Sequence, residues 1–184
     1  MMVGDFLDRR MHRLAFFSAM IFGLTWLTIA NAYAGEITVF KSKRTLVYQG
    51  DGVSRSFHVG LGSSPVGPKS VQGDRKTPEG VYFIAHKNPH SQFYLSLAIS
   101  YPNRTDALAA RQAHRLSKKE YDAIDSAIRR HVLPPQNTAL GGDIFIHGRG
   151  SRTDWTWGCV ALDDRDVAFL FEHARVGDKV TIER

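Results

Sequence analysis

Residues 143–162 read DIFIHGRGSRTDWTWGCVAL. The first five alternate as a strand does, with Ile144 and Ile146 facing one side and Phe145 and His147 the other, so that a histidine sits at the strand end. A turn-rich loop, residues 148–155, follows, and then Thr156-Trp157-Gly158-Cys159 runs into the apolar Val160-Ala161-Leu162. Cys159 is the only cysteine of the chain and lies twelve positions after His147. A thiol that titrates near about 8.5 is mostly protonated at neutral pH and needs a base to become a good nucleophile. His147 can be that base if Gly148 and Gly150 let the loop fold back and bring the two face to face. Gly158 permits a close backbone approach, and the consecutive N–H groups around Gly158 and Cys159 suit a developing oxyanion. The chemistry on offer is acyl transfer through a thioester. A Cys and a His at this spacing also occur with no chemistry between them, Cys159 then being a small buried hydrophobe.

Outward from this stretch the chain reads as short strands. Downstream, Asp163 or Asp164 caps a helix carrying Val167, Leu170 and Phe171, and Val180 and Ile182 belong to a closing strand. Upstream, residues 37–40, 45–48 and 56–59 form an antiparallel meander with a turn at Gly50-Asp51-Gly52. Residues 60–80 are too rich in Gly and Pro to be regular, and a loop of that length is usually functional. Strands are expected at 81–85 and 93–101. A helical insert follows, first over 106–115 and then from a capping box of Ser117 and Glu120 ahead of Tyr121, Ile124 and Ile128, until Pro134 and Pro135 end it. The fold class is mainly β, with a small helical insert and a C-terminal helix before the last strand.

The chain has 184 residues, 43% hydrophobic and 23% charged, the balance of one globular domain. Its start differs in kind: Arg9, Arg10 and Arg13 precede an apolar run over 14–30 that ends in Ala32-Tyr33-Ala34. This pattern predicts a signal peptide over 1–34 cut after Ala34, or an uncleaved N-terminal anchor, and either way an exported domain over 35–184, in the periplasm or cell envelope. The leader's three Arg and two Asp carry +1 of the total +6, leaving +5 on the domain. That charge suits work beside an anionic polymer or lipid, and the motifs of a nucleic-acid binder are missing. In an oxidising compartment a lone thiol is a liability unless buried or used. One Cys and scattered His residues (His58, His86, His90, His114, His131, His173) lack zinc-type spacing and read as surface or packing histidines. Membrane contact is expected only through an uncleaved leader, and the domain is expected to be a monomer.

Three separated blocks resemble the L,D-transpeptidase catalytic domain family, also called YkuD-like or ErfK/YbiS/YcfS/YnhG. They are Pro65-Val66-Gly67-Pro68-Lys69 leading into Gly73-Asp74-Arg75-Lys76-Thr77-Pro78-Glu79-Gly80, then Ile146-His147-Gly148, then Thr156-Trp157-Gly158-Cys159. With the closing Val176-Gly177-Asp178-Lys179-Val180, the likeness covers nearly all of residues 35–184. The resemblance implies a β-sandwich-like fold in which Cys159 attacks a peptidoglycan stem peptide after its diamino-acid residue. It makes His147 the proton acceptor and donor and gives the Gly148 carbonyl the task of orienting the imidazole. An amine, a D-amino acid or water resolves the thioester, and no metal or organic cofactor is implied. The common family motif Ser-His-Gly-Cys-Ile-Arg departs here at Trp157 and Ala161, while a subfamily with Asp-Trp-Thr-x-Gly-Cys resembles Asp154–Cys159 more closely. Arg149 and Arg152 are candidates for the missing positive charge at the substrate, or are solvated surface residues. Asp74 is expected to brace its turn, and Trp155 and Trp157 to pack over the cleft, Trp157 being also a candidate substrate contact. The alternative function is an envelope protein with an altered site that docks peptidoglycan without turning it over.

Overall fold

Residues 35–184 are described by a computed structural model; the leader or anchor expected over 1–34 lies outside the described residues. No helix among the described residues is long and apolar enough to cross a membrane. In β1 (Glu36–Phe40) and β2 (Thr45–Gly50), Ile37, Val39, Leu46 and Tyr48 are buried while the residues between them are half-buried, the period-two pattern of strands with one face on a core. β2 turns into β3 (Val53–His58) through Asp51 and Gly52, both at positive φ, as a two-residue hairpin turn requires.

β1 also pairs in parallel with the last strand, β8 (Lys179–Glu183), which in turn pairs antiparallel with β4 (Gly80–Ser91). β4 is the corner of the molecule. Its first residues pair with β8 and, past a register shift between Ile84 and His86, its remainder pairs with β5 (Tyr94–Ile99). Such irregularities bend a strand and let it serve two sheet halves. β5 pairs with β6 (Phe145–His147), and β6 pairs in parallel with β7 (Val160–Ala161). The order β3-β2-β1-β8-β4-β5-β6-β7 curls on itself: just after β3 the Gly60 N–H donates to the Ala161 carbonyl at 2.9 Å, and the Gly60 carbonyl accepts from the Ala161 N–H at 2.8 Å. The core lies inside this curl, around Leu61, Ile84, Leu97, Ile99, Ile146 and Leu162.

Helices α1 (Arg104–Gln112) and α2 (Lys118–Arg129) form the insert between β5 and β6, opened by capping boxes at Asn103/Asp106 and Ser117/Glu120. α3 (Asp164–His173) packs against β5 and β6. Several element ends differ from the sequence reading: β3 covers Val53–His58 where 56–59 is expected, β5 Tyr94–Ile99 where 93–101 is, and α1 Arg104–Gln112 where 106–115 is. β4 continues to Ser91, because pairing with β5 holds residues whose own pattern is polar. Asp163 is the N-cap of α3 but makes no cap bond; its Oδ1 accepts instead from the N–H and hydroxyl of Ser151.

The irregular stretch 60–80 is tied down by buried lysines. Lys41 Nζ donates to the carbonyls of Gly67 (2.7 Å) and Thr77 (2.8 Å) and to Glu79 Oε1 (2.8 Å), using all three of its hydrogens. Removing that ammonium leaves a carboxylate and two carbonyls without their donor. Lys41→Met should therefore lower unfolding stability by about 3 kcal/mol, read as a shift of the urea midpoint, and a change under about 0.5 kcal/mol would contradict this role.

Candidate active site

The parallel register of β6 and β7 sets Ile146 beside Val160 and His147 beside Ala161. One step back it sets Phe145 beside Cys159, and the Phe145 N–H points at the sulfur, 3.4 Å from Sγ. The thiol donates to the Asp143 carbonyl, also at 3.4 Å. Because strand side chains alternate, Cys159 and Ala161 share a face with Phe145 and His147, and the imidazole lies diagonally across from the thiol. His147 is buried, and its Nδ1 is 2.7 Å from the Gly148 carbonyl. A carbonyl only accepts, so Nδ1 carries the proton and the neutral ring keeps Nε2 as its acceptor. Phe93 stacks on the ring at 4.4 Å and Trp155 meets it edge-on at 5.6 Å. Cys159 and His147 line one cavity of about 360 Å³ with Phe93, Phe145, Trp155 and Trp157. A second cavity, about 200 Å³ and more polar, meets Cys159 alongside Lys69, Gln136 and Asp143.

Burial pushes the Cys159 thiol up to about 11, with the Asp143 charge adding to the rise and the Phe145 N–H and Lys69 opposing it. Burial also holds His147 below its ordinary value, against the Gly148 carbonyl. Both groups are thus uncharged at neutral pH.

The loop that presents Cys159 is fixed from within. Thr156 Oγ1 donates to the Cys159 carbonyl at 2.8 Å and accepts from the Gly158 N–H at 3.1 Å. Gly158 has φ 130°, and a Cβ there would stand 2.7 Å from the Lys76 carbonyl, so only glycine fits between this loop and the 60–80 stretch. Asp154 anchors the loop's start through Arg44, whose Nε and Nη2 reach its carboxylate at 2.9 and 2.6 Å, and through the Leu61 N–H at 2.9 Å. Asp164 accepts from the Arg149 N–H at 2.8 Å, tying the loop after His147 to the start of α3.

A sequence model of the YkuD L,D-transpeptidase catalytic domain matches residues 34–182. The chain belongs to this family. A candidate L,D-transpeptidase of Escherichia coli K12, YafK, is 36% identical over 77 residues, which cover 38% of this chain and 31% of YafK. Among solved structures, the helical cell shape determining protein Pgp2 of Campylobacter jejuni is similar at 25% identity and TM-score 0.52, over 82% of this chain and 48% of Pgp2. Bd1075 of Bdellovibrio bacteriovorus shares the fold at 21% identity and TM-score 0.50, over 81% of this chain and 47% of Bd1075. The chain thus spans less than half the length of each of these relatives. The family acts on peptidoglycan in the bacterial envelope.

Within this L,D-transpeptidase domain, Cys159, His147 and the Gly148 carbonyl come together, whereas the other residues picked out in the sequence divide. The Gly158 N–H is engaged by Thr156. Arg149 and Arg152 line a separate recess of about 450 Å³ with Thr153 and Asp163, outside the Cys159 cavities; Trp155 borders both this recess and the cavity of about 360 Å³. The cation that borders a Cys159 cavity is Lys69 instead, held inward by Asp74, which braces its turn by accepting from the Ser70, Val71 and Lys76 amides. Trp155 packs on His147 and Phe93, but Trp157 stands 72% exposed on the rim with the Arg75 guanidinium 5.2 Å over its ring. Phe93 and Lys69 escaped the sequence reading as site residues because only the curl of the sheet brings them here.

An uncharged resting pair has a spectroscopic consequence. Thiolate ultraviolet absorbance of the free protein should be missing at pH 7 and should rise with a midpoint near about 11. A thiolate band already present at neutral pH would mean that the pair rests as an ion pair. Gly158→Ala should cost about 1–3 kcal/mol of stability in the same denaturant assay, from the left-handed backbone and the Lys76 carbonyl contact together; an unchanged midpoint would mean that the loop can shift without cost.

Proposed function

We propose that this chain is a peptidoglycan L,D-transpeptidase in which Cys159 is the nucleophile and His147 the general base and acid. The observation that carries the reading is the shared cavity: a family domain in which the one thiol and an imidazole with a free Nε2 acceptor border the same space on adjacent strands. A neutral thiol has to lose its proton as it attacks, and a neutral imidazole is the group suited to take it.

In the proposed reaction the Cys159 sulfur attacks the carbonyl carbon of the diamino-acid residue of a stem peptide, at the bond to the terminal D-amino acid, and its proton passes to His147 Nε2. The carbonyl oxygen becomes an oxyanion. With the Gly158 N–H committed to Thr156, the amide left to meet it is that of Cys159, which has no acceptor among the described residues. The C–N bond then breaks, the departing D-amino acid takes the proton from His147, and the acyl group remains as a thioester on Cys159. An amine or water attacks the thioester and gives its proton to His147. The C–S bond breaks and the sulfur regains that proton. Transfer to an amine, to a D-amino acid or to water, or release of a wall-linked protein, differs only in this second half. No step calls for a metal or organic cofactor. We place this activity outside the cytoplasm, with the predicted leader as the export signal and the domain's net positive charge facing an anionic wall.

The reading is tested by product analysis of a defined tetrapeptide donor with and without an amine acceptor. Release of the terminal residue is expected, with cross-linked product for a transpeptidase and bare tripeptide for a carboxypeptidase. Cys159→Ala should abolish release, and His147→Ala should slow it by about 10²–10⁴-fold while both variants keep the wild-type melting profile within a few degrees. Unchanged substrate masses with the wild-type protein bound to the peptide would instead identify a docking protein, and release undiminished in Cys159→Ala would rule out the thiol.

A further inference from the structure

Lys69 is 5% exposed and borders the smaller of the two cavities that meet Cys159. Its Nζ donates to the Val71 carbonyl at 3.0 Å and to Asp74 Oδ1 at 3.0 Å. An ammonium has three hydrogens to donate, and the third has no acceptor among the described residues. Asp74 is in turn shared with three backbone amides, which spread its charge away from Lys69. A buried charged donor left unpaired is costly, and a ligand acceptor removes that cost. The other polar groups around the cavity are differently placed. The Gln136 side chain is spent on the Asp143 N–H and on the Tyr101 and Pro134 carbonyls. The exposed Asp143 stands on the rim as the only carboxylate among the lining residues.

Which part of a substrate enters this cavity follows from proton transfer. His147 has to reach both the departing and the entering nitrogen, so those groups occupy the larger cavity that His147 lines. The acyl residue attached to Cys159 then extends into the other cavity, which His147 does not line. We propose that Lys69 is a specificity-determining residue that binds a carboxylate on the side chain of the acyl-donor residue, with Asp143 facing an ammonium on the same side chain. The inference rests on the acyl-transfer reading above and selects, among diamino acids, those whose far end is an amino-carboxylate. Lysine carries only the ammonium; diaminopimelate carries both. Proximity agrees: the Lys69 charge acts on the Cys159 thiol, against the rise that burial causes.

The test uses two tetrapeptide donors that differ only in having diaminopimelate or lysine as the diamino acid, with kcat/KM for Cys159 acylation followed by intact-protein mass. The wild-type protein should favour the diaminopimelate donor by about ten- to a hundredfold, the range of a charge-assisted hydrogen bond. Lys69→Met should bring the ratio close to one, while Lys69→Arg, which keeps a charged donor, should retain a preference. Equal use of the two donors by the wild-type protein overturns the proposal whether or not Lys69→Met folds, and so does an undiminished preference in a folded Lys69→Met. Acylation by neither donor is a separate outcome: it removes the acyl-transfer reading itself, and the Lys69 proposal falls with it.

Discussion

The parallel pairing of β6 with β7 is the contact on which the candidate site depends. It is only two residue pairs deep, His147 beside Ala161 and Ile146 beside Val160, yet it sets a thiol and an imidazole on one face of the sheet. Strands this short do not hold a register alone. Here β7 is gripped from its other side by the reciprocal bonds between Gly60 and Ala161, and beyond its end the Leu162 N–H donates to the His147 carbonyl at 2.8 Å. The curl of the sheet, more than any local preference, holds Cys159 where it is. The tight fit at Gly158 and the Thr156 hydroxyl then leave the loop before the thiol little freedom.

Burial works on both members of the pair in the same sense, favouring the uncharged form of each. A resting thiolate beside an imidazolium would have to overcome two desolvation penalties within an aromatic pocket made by Phe93, Phe145 and Trp155. The neutral pair avoids both, and in the proposed reaction charge separation waits until a substrate carbonyl is present to receive the sulfur's electrons. The Gly148 carbonyl contributes by fixing the tautomer, leaving Nε2 without a hydrogen. Acid acts on the fold through the same residue. An imidazole whose folded value is depressed binds its proton more readily in the unfolded chain, so its contribution is present above the ordinary histidine range and is lost as pH falls through that range.

Local signals in the chain were legible where the physics is local. Ser117 and Glu120 cap α2 as read, Asp51-Gly52 turns the hairpin, and the alternation of Ile144 to His147 places a histidine at a strand end. Strand alternation, turn residues and the Ser117/Glu120 box carried the mainly β fold with its helical insert, and the family blocks agree with it. Contacts between distant segments were not legible. The parallel pairing of the first and last strands, the bend in β4 and the buried ammonium groups of Lys41 and Lys69 depend on how the sheet closes. Arg149 and Arg152, read from the sequence as substrate contacts or solvated surface residues, line a separate recess, with Arg149 tied by its amide to the start of α3, whereas Lys69 is drawn inward by Asp74 to the border of a Cys159 cavity.

In the proposed reaction everything passes through an acyl group carried on Cys159. The direct measurement is to incubate the protein with a tetrapeptide donor, quench it in acid to preserve thioesters, digest it, and map any adduct by peptide mass. The acyl mass, less the departed terminal residue, is expected on the peptide that contains Cys159, together with its removal by hydroxylamine. An adduct on another residue, or substrate turnover with Cys159 unmodified at every time point, would contradict the proposed reaction.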